Sequence, residues 1–502
     1  MIKLGEIFQN GMMLQRGKDV HIFGTAEPGC VIRAKIQGKN GKAAADETGH
    51  FDIVLSGLEA SDSDTLTVED GENVLRIDDV AIGEIWIAAG QSNMEFHLGY
   101  EKHWQEEQDH SDMNLRFYDV PEAAFRGQRE AFDYQEFGVW RKADKSESMQ
   151  YFSAAGYYFQ KVLREELHIP IGIVGLNWGG TRSASWMRKE SVLPQWDQRF
   201  QEETRDIIWD KYWQDLMTCP ESDRGHPFAN PVWNLMMYAT PSVEEIYLKS
   251  MECFGGMEMP GNPLYEPKDI PGCLMEHMVK TITPFTTRGV LWYQGESDDA
   301  IGMQELYEQM LTLLIRDWRE EFKDAALPFL IVQLPGFERW LHIEDMDYMT
   351  IRSCQEAVTR QVENTWLCSI SDGGEQFDIH PKDKKLVGER LAALALRHIY
   401  EKDVPADPPV LKETAFDGTI IRLSFENAGD GLYAAGERIE GLSVYGKDDT
   451  EIPFDHEILK DTITLHCHQE PRSVRYLKKK WFQSNLFNAA GIPAIPFEAG
   501  LQ

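Results

Sequence analysis

The sequence predicts an α/β protein: a parallel sheet flanked by helices on both faces, with an N-terminal β-sandwich and a C-terminal β-region. Three observations carry this. Apolar strand patterns alternate with amphipathic helical patterns from Ile85 to about residue 402. Short strands separated by Gly, Pro, Asp and Asn turns fill residues 1–81. The same short-strand texture returns from about residue 403 to the end.

In chain order, "DVHIFGTA", "VIRAKIQG", "HFDIVLSGL", "DTLTVED" and "VLRIDDVAIG" read as the strands of the first region, 1–81. The middle region, 82–402, opens with the strand "IWIAAG". It continues with the helix "YFSAAGYYFQKVLREELH" and the strands "IPIGIVGLNWGG" and "GVLWYQGES". The helix "MQELYEQMLTLLIRDWREEF", the strand "LPFLIVQLPGF" and the helix "DKKLVGERLAALALRHIY" complete it. Strands this uniformly apolar belong in a sheet covered on both faces. Residues 190–285 break the alternation with Trp, Met, Pro and Glu, and read as an insertion or lid. The Pro-rich "EKDVPADPPVL" then leads into 403–502, with "TIIRLSFE", "GLSVYG", "TITLHC" and "SVRYLK" as strands.

With 502 residues, 42% of them hydrophobic, the chain can bury substantial cores. Its 50 Lys+Arg against 83 Asp+Glu leave a net charge of −33, which repels nucleic acid and anionic membrane. Neither is therefore an expected partner, although one local arginine could still hold a small anion. Seven scattered cysteines (30, 219, 253, 273, 354, 368 and 467) without a C-x-x-C read as neutral thiols in a reducing compartment. The first twenty residues lack a signal peptide's basic start and apolar core, and no stretch approaches the ~20 apolar residues of a membrane span. A cytoplasmic location is the expectation.

Ligands of open parallel sheets bind at the carboxyl ends of the strands. Three such ends carry unusual residues: "AAGQSNM", "NWGGTRS" and "WYQGES". In the first, Gly90 permits a tight turn before Ser92, and a helix starting just after Ser92 would turn its N–H groups toward the hydroxyl. Ser92 is then either a nucleophile or a helix cap. In the second, Gly179-Gly180-Thr181 offers backbone N–H groups for an oxyanion, or is a plain glycine turn. In the third, Gln294 offers a side-chain amide donor, while Glu296, ionised, only accepts and so braces the loop. A fourth segment, "GGEQFDIHPKDK", supplies His380 as a base, with the Asp378 carboxylate two residues before it. Together the four segments hold the parts of a serine esterase. No H-E-x-x-H or comparable ligand spacing calls for a metal, and no cofactor is expected.

The blocks "GQSNM", "WGGTRSASWM", "VLWYQGESD" and "DIHPKDKKLVGERLA" resemble those of sialate O-acetylesterase-like carbohydrate acetylesterases, in the SGNH-hydrolase superfamily. The resemblance extends to "GEIFQNGMMLQRGKDVHIFGTAEPG", "RDWREEF", "LPFLIVQLPGF" and "SNLFNAAGIPAIPF", so it covers nearly the whole chain. It implies an SGNH-type sheet, Ser92 as nucleophile, the Ser92 and Gly180 N–H groups with the Gln294 amide as oxyanion hole, and His380 as base. Many members of that superfamily place an aspartate three residues before the histidine. Here Asp378 lies two before, which leaves Asp372 as a second candidate acid and an acid-less Ser–His dyad as a third.

The implied substrate is an acetylated sugar, either sialic acid or a plant-type oligosaccharide such as acetylated xylan or mannan fragments. Trp178 and Trp186 are candidates for stacking on a sugar, whereas Trp292 reads as core. Arg182 could pair with a sialic acid carboxylate or form a structural ion pair. Two other readings stand beside this one: a non-catalytic carbohydrate-binding protein, and a lipase or thioesterase with an apolar acyl groove. The sequence fixes no oligomeric state.

Overall fold

The computed structural model describes residues 1–128, 137–144, 147–209, 231–239, 242–254, 266–341 and 343–501. The stretches 210–230 and 255–265 of the expected insertion lie outside the described residues. The chain folds as two compact units, Met1–Ser297 with Gln309–Phe329, and Asp298–Glu308 with Leu330–Gln502.

The first unit is organised by one long strand, β1 (Val74–Gly90), whose last eleven residues are all buried. Around it lie β2 (Ser111–Asp119), β3 (Trp140–Asp144), β4 (Ile171–Asn177) and β5 (Gly289–Tyr293), in the order β3-β2-β4-β1-β5. β4 runs parallel to both β1 and β2, with Val174 opposite Ile87 and Tyr118. β5 runs parallel to β1, with Leu291 opposite Ala88. β3 pairs antiparallel with β2, so the sheet is mixed and not purely parallel as expected.

The boundary expected at 81/82 falls inside β1. The first half of this strand pairs antiparallel with Ser61–Glu69, and its second half enters the parallel ladder. Part of the predicted N-terminal sandwich is thus continuous with the central sheet; Lys3–Leu4, Val20–Thr25 and His50–Leu55 form a separate three-stranded sheet. Gly83 is a packing glycine within this strand. A Cβ there would lie 1.9 Å from the Pro170 carbonyl oxygen, so only glycine lets the strand pass. Next to it, Glu84 is fully buried and held by Arg16 and Arg288, each at 2.6 Å, and by Gln15 at 2.9 Å. A buried carboxylate persists only when paired and hydrogen-bonded in this way.

The carboxyl end of β1 leads into a single helical turn, α1 (Ser92–Glu95). Helix α2 (Ala154–Leu167) backs it. The Ser153 hydroxyl caps α2 by accepting from the Gly156 N–H at 3.1 Å and donates to the Met94 carbonyl at 2.6 Å. The Ala154 N–H donates to the Phe96 carbonyl at 2.8 Å, so the segment after Ser92 is tied to the start of α2. Helix α3 (Tyr307–Glu321), in this unit from Gln309 on, sets Trp318 edge-on against Trp292 of β5.

In the second unit, β6 (Phe329–Gln333, here from Leu330) neighbours β7 (Thr365–Ser369). Helices α4 (Met349–Gln361) and α5 (Lys384–His398) pack against β7. The C-terminal strands form two four-stranded sheets and a two-stranded ribbon around a core that includes Ile421, Leu423, Val444, Ile463, Leu465, Val474 and Tyr476. Arg352 of α4 ties this region in by donating to the carbonyls of Pro335 and Lys479. No helix among the described residues is long and apolar enough to cross a membrane.

Gly90 has φ +137°, and a Cβ there would meet the Tyr293 carbonyl oxygen at 2.1 Å. Gly90→Ala is therefore expected to cost about 3 kcal/mol or more, from left-handed strain and overpacking together. Urea unfolding measures it; a midpoint equal to that of the unaltered protein would contradict the packing described.

Candidate active site

The site in the first unit forms where β1, β4 and β5 end. The Gln91 N–H donates to the Tyr293 carbonyl at 3.1 Å, and the Trp178 N–H to the Gly90 carbonyl at 3.2 Å. The Gln91 side-chain oxygen accepts from the Ser297 N–H at 3.2 Å. The loops after all three strands are thus stitched together around Ser92, which is 8% exposed. The cap position of α1 falls on Gln91, and Ser92 is the first helical residue, so its hydroxyl does not serve as the cap. At four residues, α1 is too short to supply more than a fraction of a helix dipole. The expected dipole assistance to Ser92 is minor.

The glycine turn lies directly on Ser92. A Cβ at Gly179 would sit 3.4 Å from the Ser92 Cβ. Its N–H, expected to be exposed, donates to the Glu95 carboxylate. Gly180 follows, exposed, with φ +74°. Gln294 is fully buried and donates to the Thr181 carbonyl at 3.2 Å, which takes one of its two amide N–H bonds. Glu296 accepts from the Asn93 amide at 2.6 Å and so braces the loop after β5 against α1.

The residues singled out for the substrate take different places. Trp178 is half-buried, and the Lys268 ammonium lies 5.6 Å from its ring centre. Trp186 is fully buried, donates from its indole N–H to the Thr181 hydroxyl at 2.9 Å, and presents no face to solvent. Arg182 is buried and sits 2.9 Å from the Asp269 carboxylate, an ion pair within the fold. Trp292 is in the core.

The second unit holds His380 and Asp378, both buried. The Asp378 carboxylate accepts from the His380 backbone N–H at 2.8 Å and pairs with the Lys382 ammonium at 2.9 Å. It lies 3.9 Å from the imidazole Nδ1, beyond hydrogen-bond length. Asp372 is taken up by a two-point pair with Arg390, at 2.6 and 2.8 Å. The Trp340 ring stands perpendicular to the imidazole at 5.2 Å. Burial, reinforced by the positive charges of Lys382 and Lys384, holds the His380 pKa well below that of an ordinary histidine. His380 is therefore neutral near pH 7, the state that a proton acceptor requires.

Sequence reasoning missed a group of titratable residues beside Ser92. Burial raises the Glu95 carboxyl, opposed by Lys268 and the Gly179 N–H. Burial pushes Asp119, at the end of β2, up to about 7, against the pull of Arg141 at 3.3 Å. Glu122 is raised well above its ordinary value by burial and by Glu95. For Lys268, burial alone would lower the pKa, but Glu266 and Asp269 outweigh it and raise it. Glu95 left a trace in the sequence, since it follows Ser92 by three positions. Lys268, Asp119 and Glu122 are brought in by tertiary structure alone.

The chain is similar to proteins described as sialate O-acetylesterases and carbohydrate acetylesterases. The model of the family described as carbohydrate esterase, sialic acid-specific acetylesterase, matches residues 258–397. The sialate O-acetylesterase of Mus musculus is 26% identical over 367 residues, 68% of this chain and 61% of that protein. The sialate O-acetylesterase of Pongo abelii is 23% identical over 450 residues, 81% of this chain and 73% of that protein. A carbohydrate acetylesterase from Xanthomonas citri superposes with a TM-score of 0.77 at 26% identity, covering 99% of both chains.

If His380 is the proton acceptor, its state sets a pH dependence. Protonated imidazole accepts no proton, so kcat/KM for ester hydrolysis should fall as pH drops through the folded pKa, at a value below the ~6.5 of an unperturbed histidine. Lys382→Met removes one of the two cations and should move this acid limb upward. An acid limb at or above 6.5 in the unaltered protein, or one that Lys382→Met leaves in place, would contradict the assignment.

By a family-model match over residues 258–397, its curated relatives and its fold, the chain is similar to sialate O-acetylesterases and to a carbohydrate acetylesterase of known structure.

Proposed function

We propose that this chain is a carboxylic ester hydrolase that removes O-acetyl groups from sugars through an acetyl-serine intermediate, on an SGNH-type α/β scaffold. The observation that carries the reading is the meeting of three strand-end loops at Ser92, with a bare glycine turn so near that a Cβ on Gly179 would reach van der Waals contact with it. Nucleophilic acyl transfer requires a serine beside backbone donors, with no side chain in between. The similarity to carbohydrate acetylesterases supports the same reaction class.

In this mechanism Ser92 Oγ attacks the acetyl carbonyl carbon, and His380 accepts the hydroxyl proton. The carbonyl oxygen becomes an oxyanion, stabilised by the Ser92 and Gly180 N–H groups and the Gln294 amide. Collapse of the tetrahedral species breaks the bond to the sugar oxygen, and His380 returns the proton to it. Water, deprotonated by His380, then releases acetate and restores Ser92. Asp378 acts mainly by fixing the backbone of His380, since its carboxylate accepts that residue's own N–H.

Sialic acid is the substrate that the family's description names. A second reading, an acetylated neutral oligosaccharide, is favoured by one observation. Arg182, the arginine suited to a sialate carboxylate, is already neutralised by Asp269.

Acetate release from 9-O-acetylated sialic acid and from acetylated xylo- or manno-oligosaccharides separates the two readings. Activity should vanish in Ser92→Ala, and on p-nitrophenyl esters it should fall steeply beyond acetate. Hydrolysis that survives Ser92→Ala would overturn the nucleophile; a preference for octanoate would overturn the acetylesterase.

A further inference from the structure

We propose that Glu95 is a positioning residue for the oxyanion-binding turn Trp178-Gly179-Gly180, an inference that rests on the reading of Ser92 as nucleophile. Glu95 follows Ser92 by three residues in α1, which puts both side chains on one face of the turn. The backbone of that turn is closed by the Glu95 N–H to the Gln91 carbonyl at 3.0 Å and the Phe96 N–H to the Ser92 carbonyl at 2.8 Å. Gly179 lies beside both residues. Its missing Cβ would lie 3.1 Å from Glu95 Oε2 and 3.4 Å from the Ser92 Cβ, and its N–H donates to that same carboxylate.

The two ends of the glycine turn have other anchors. Trp178 is held through its N–H by the Gly90 carbonyl, and Thr181 through its carbonyl by Gln294. The peptide between Gly179 and Gly180 joins two residues without Cβ atoms, so rotation about it meets little steric resistance. The hydrogen bond to Glu95 fixes the preceding peptide, Trp178–Gly179, through the Gly179 N–H. Across the turn, the Lys268 ammonium lies 3.5 Å from the Cβ position of Gly180 and pairs with Glu266 at 2.9 Å, which closes the far side with a counter-charge. The carboxylate thus anchors the peptide from which the Gly179–Gly180 segment departs, and through it the presentation of the next N–H, that of Gly180, when an oxyanion forms. The role proposed for it is exercised through the turn.

The experiment compares Glu95→Gln and Glu95→Leu with the unaltered protein and Ser92→Ala, on p-nitrophenyl acetate, with urea midpoints measured in parallel. Glu95→Gln keeps an oxygen that can accept from Gly179 and should stay within about 3-fold in kcat. Glu95→Leu fills the space without an acceptor. Its kcat should drop on the order of 10²-fold, the scale of losing one oxyanion donor, with KM changed by less than about 3-fold. If Glu95→Leu does not fold, Glu95→Met, unbranched and of similar length, carries the same expectation. Retention of kcat in the acceptor-free variant, equal losses in both variants, or a loss confined to KM would each overturn the proposal. Ser92-dependent hydrolysis unaffected by Glu95→Leu would overturn this inference alone. Absence of Ser92-dependent hydrolysis in the unaltered protein would overturn the esterase reading with it.

Discussion

The absence of any space for a side chain at residue 90 governs the arrangement around Ser92. The Tyr293 carbonyl occupies the position that a Cβ would take, so the backbones of β1 and β5 close against each other at their carboxyl ends. That contact turns the chain out of the sheet at Gln91, and the next residue is Ser92. The loop after β4 then reaches Ser92 because Gly179 is also bare. Close backbone approach at two glycines thus brings the loops after β1, β4 and β5 together at Ser92. The buried Glu84 with Arg16 and Arg288 holds the opposite end of the parallel stretch of β1, where Gly83 slides under Pro170.

Much of this was legible in the sequence. The buried strands "IWIAAG", "IPIGIVGLN" and "GVLWY" are apolar runs with few competing interpretations, and they pair in parallel. Helices α2 and α5 fall where the 3.6-residue apolar spacing puts them. The β2 strand, "SDMNLRFYD", was missed because its first half is polar and edge-like, and only its last five residues are buried. The expected boundary at 81/82 lies within one continuous strand, because "VLRIDDVAIG" and "IWIAAG" join through Gly83, whose packing role against the Pro170 carbonyl no local pattern announces. Helix α4, "MTIRSCQEAVTRQ", carries few strong apolar residues and is held partly by the long-range bonds of Arg352, which no local pattern announces.

The site divides in the same way. Ser92, the Gly179-Gly180 turn and Gln294 stand out in sequence because glycines and polar residues abruptly end apolar strands, and the structure brings these three strand ends together. The engagement of Arg182 with Asp269 could not, because the partner is 87 residues away in a segment without periodic pattern. Nor could the bond from Gly179 to Glu95, which converts a flexible Gly-Gly pair into a fixed turn. The acidic character of the whole chain reappears locally: Glu95, Asp119, Glu122, Glu266 and Asp269 surround Lys268 or one another. Burial keeps several of these carboxyls closer to neutrality than their number suggests. His380 is tuned the other way, since burial and two lysines keep it uncharged.

The central claim is that Ser92 is the nucleophile of this fold. Covalent labelling tests it most directly: the protein is treated with a fluorophosphonate, digested, and the modified peptide sequenced by tandem mass spectrometry. The account predicts stoichiometric labelling of Ser92, with hydrolytic activity lost in proportion. Labelling of another residue, or full activity after Ser92 has been modified, would contradict it.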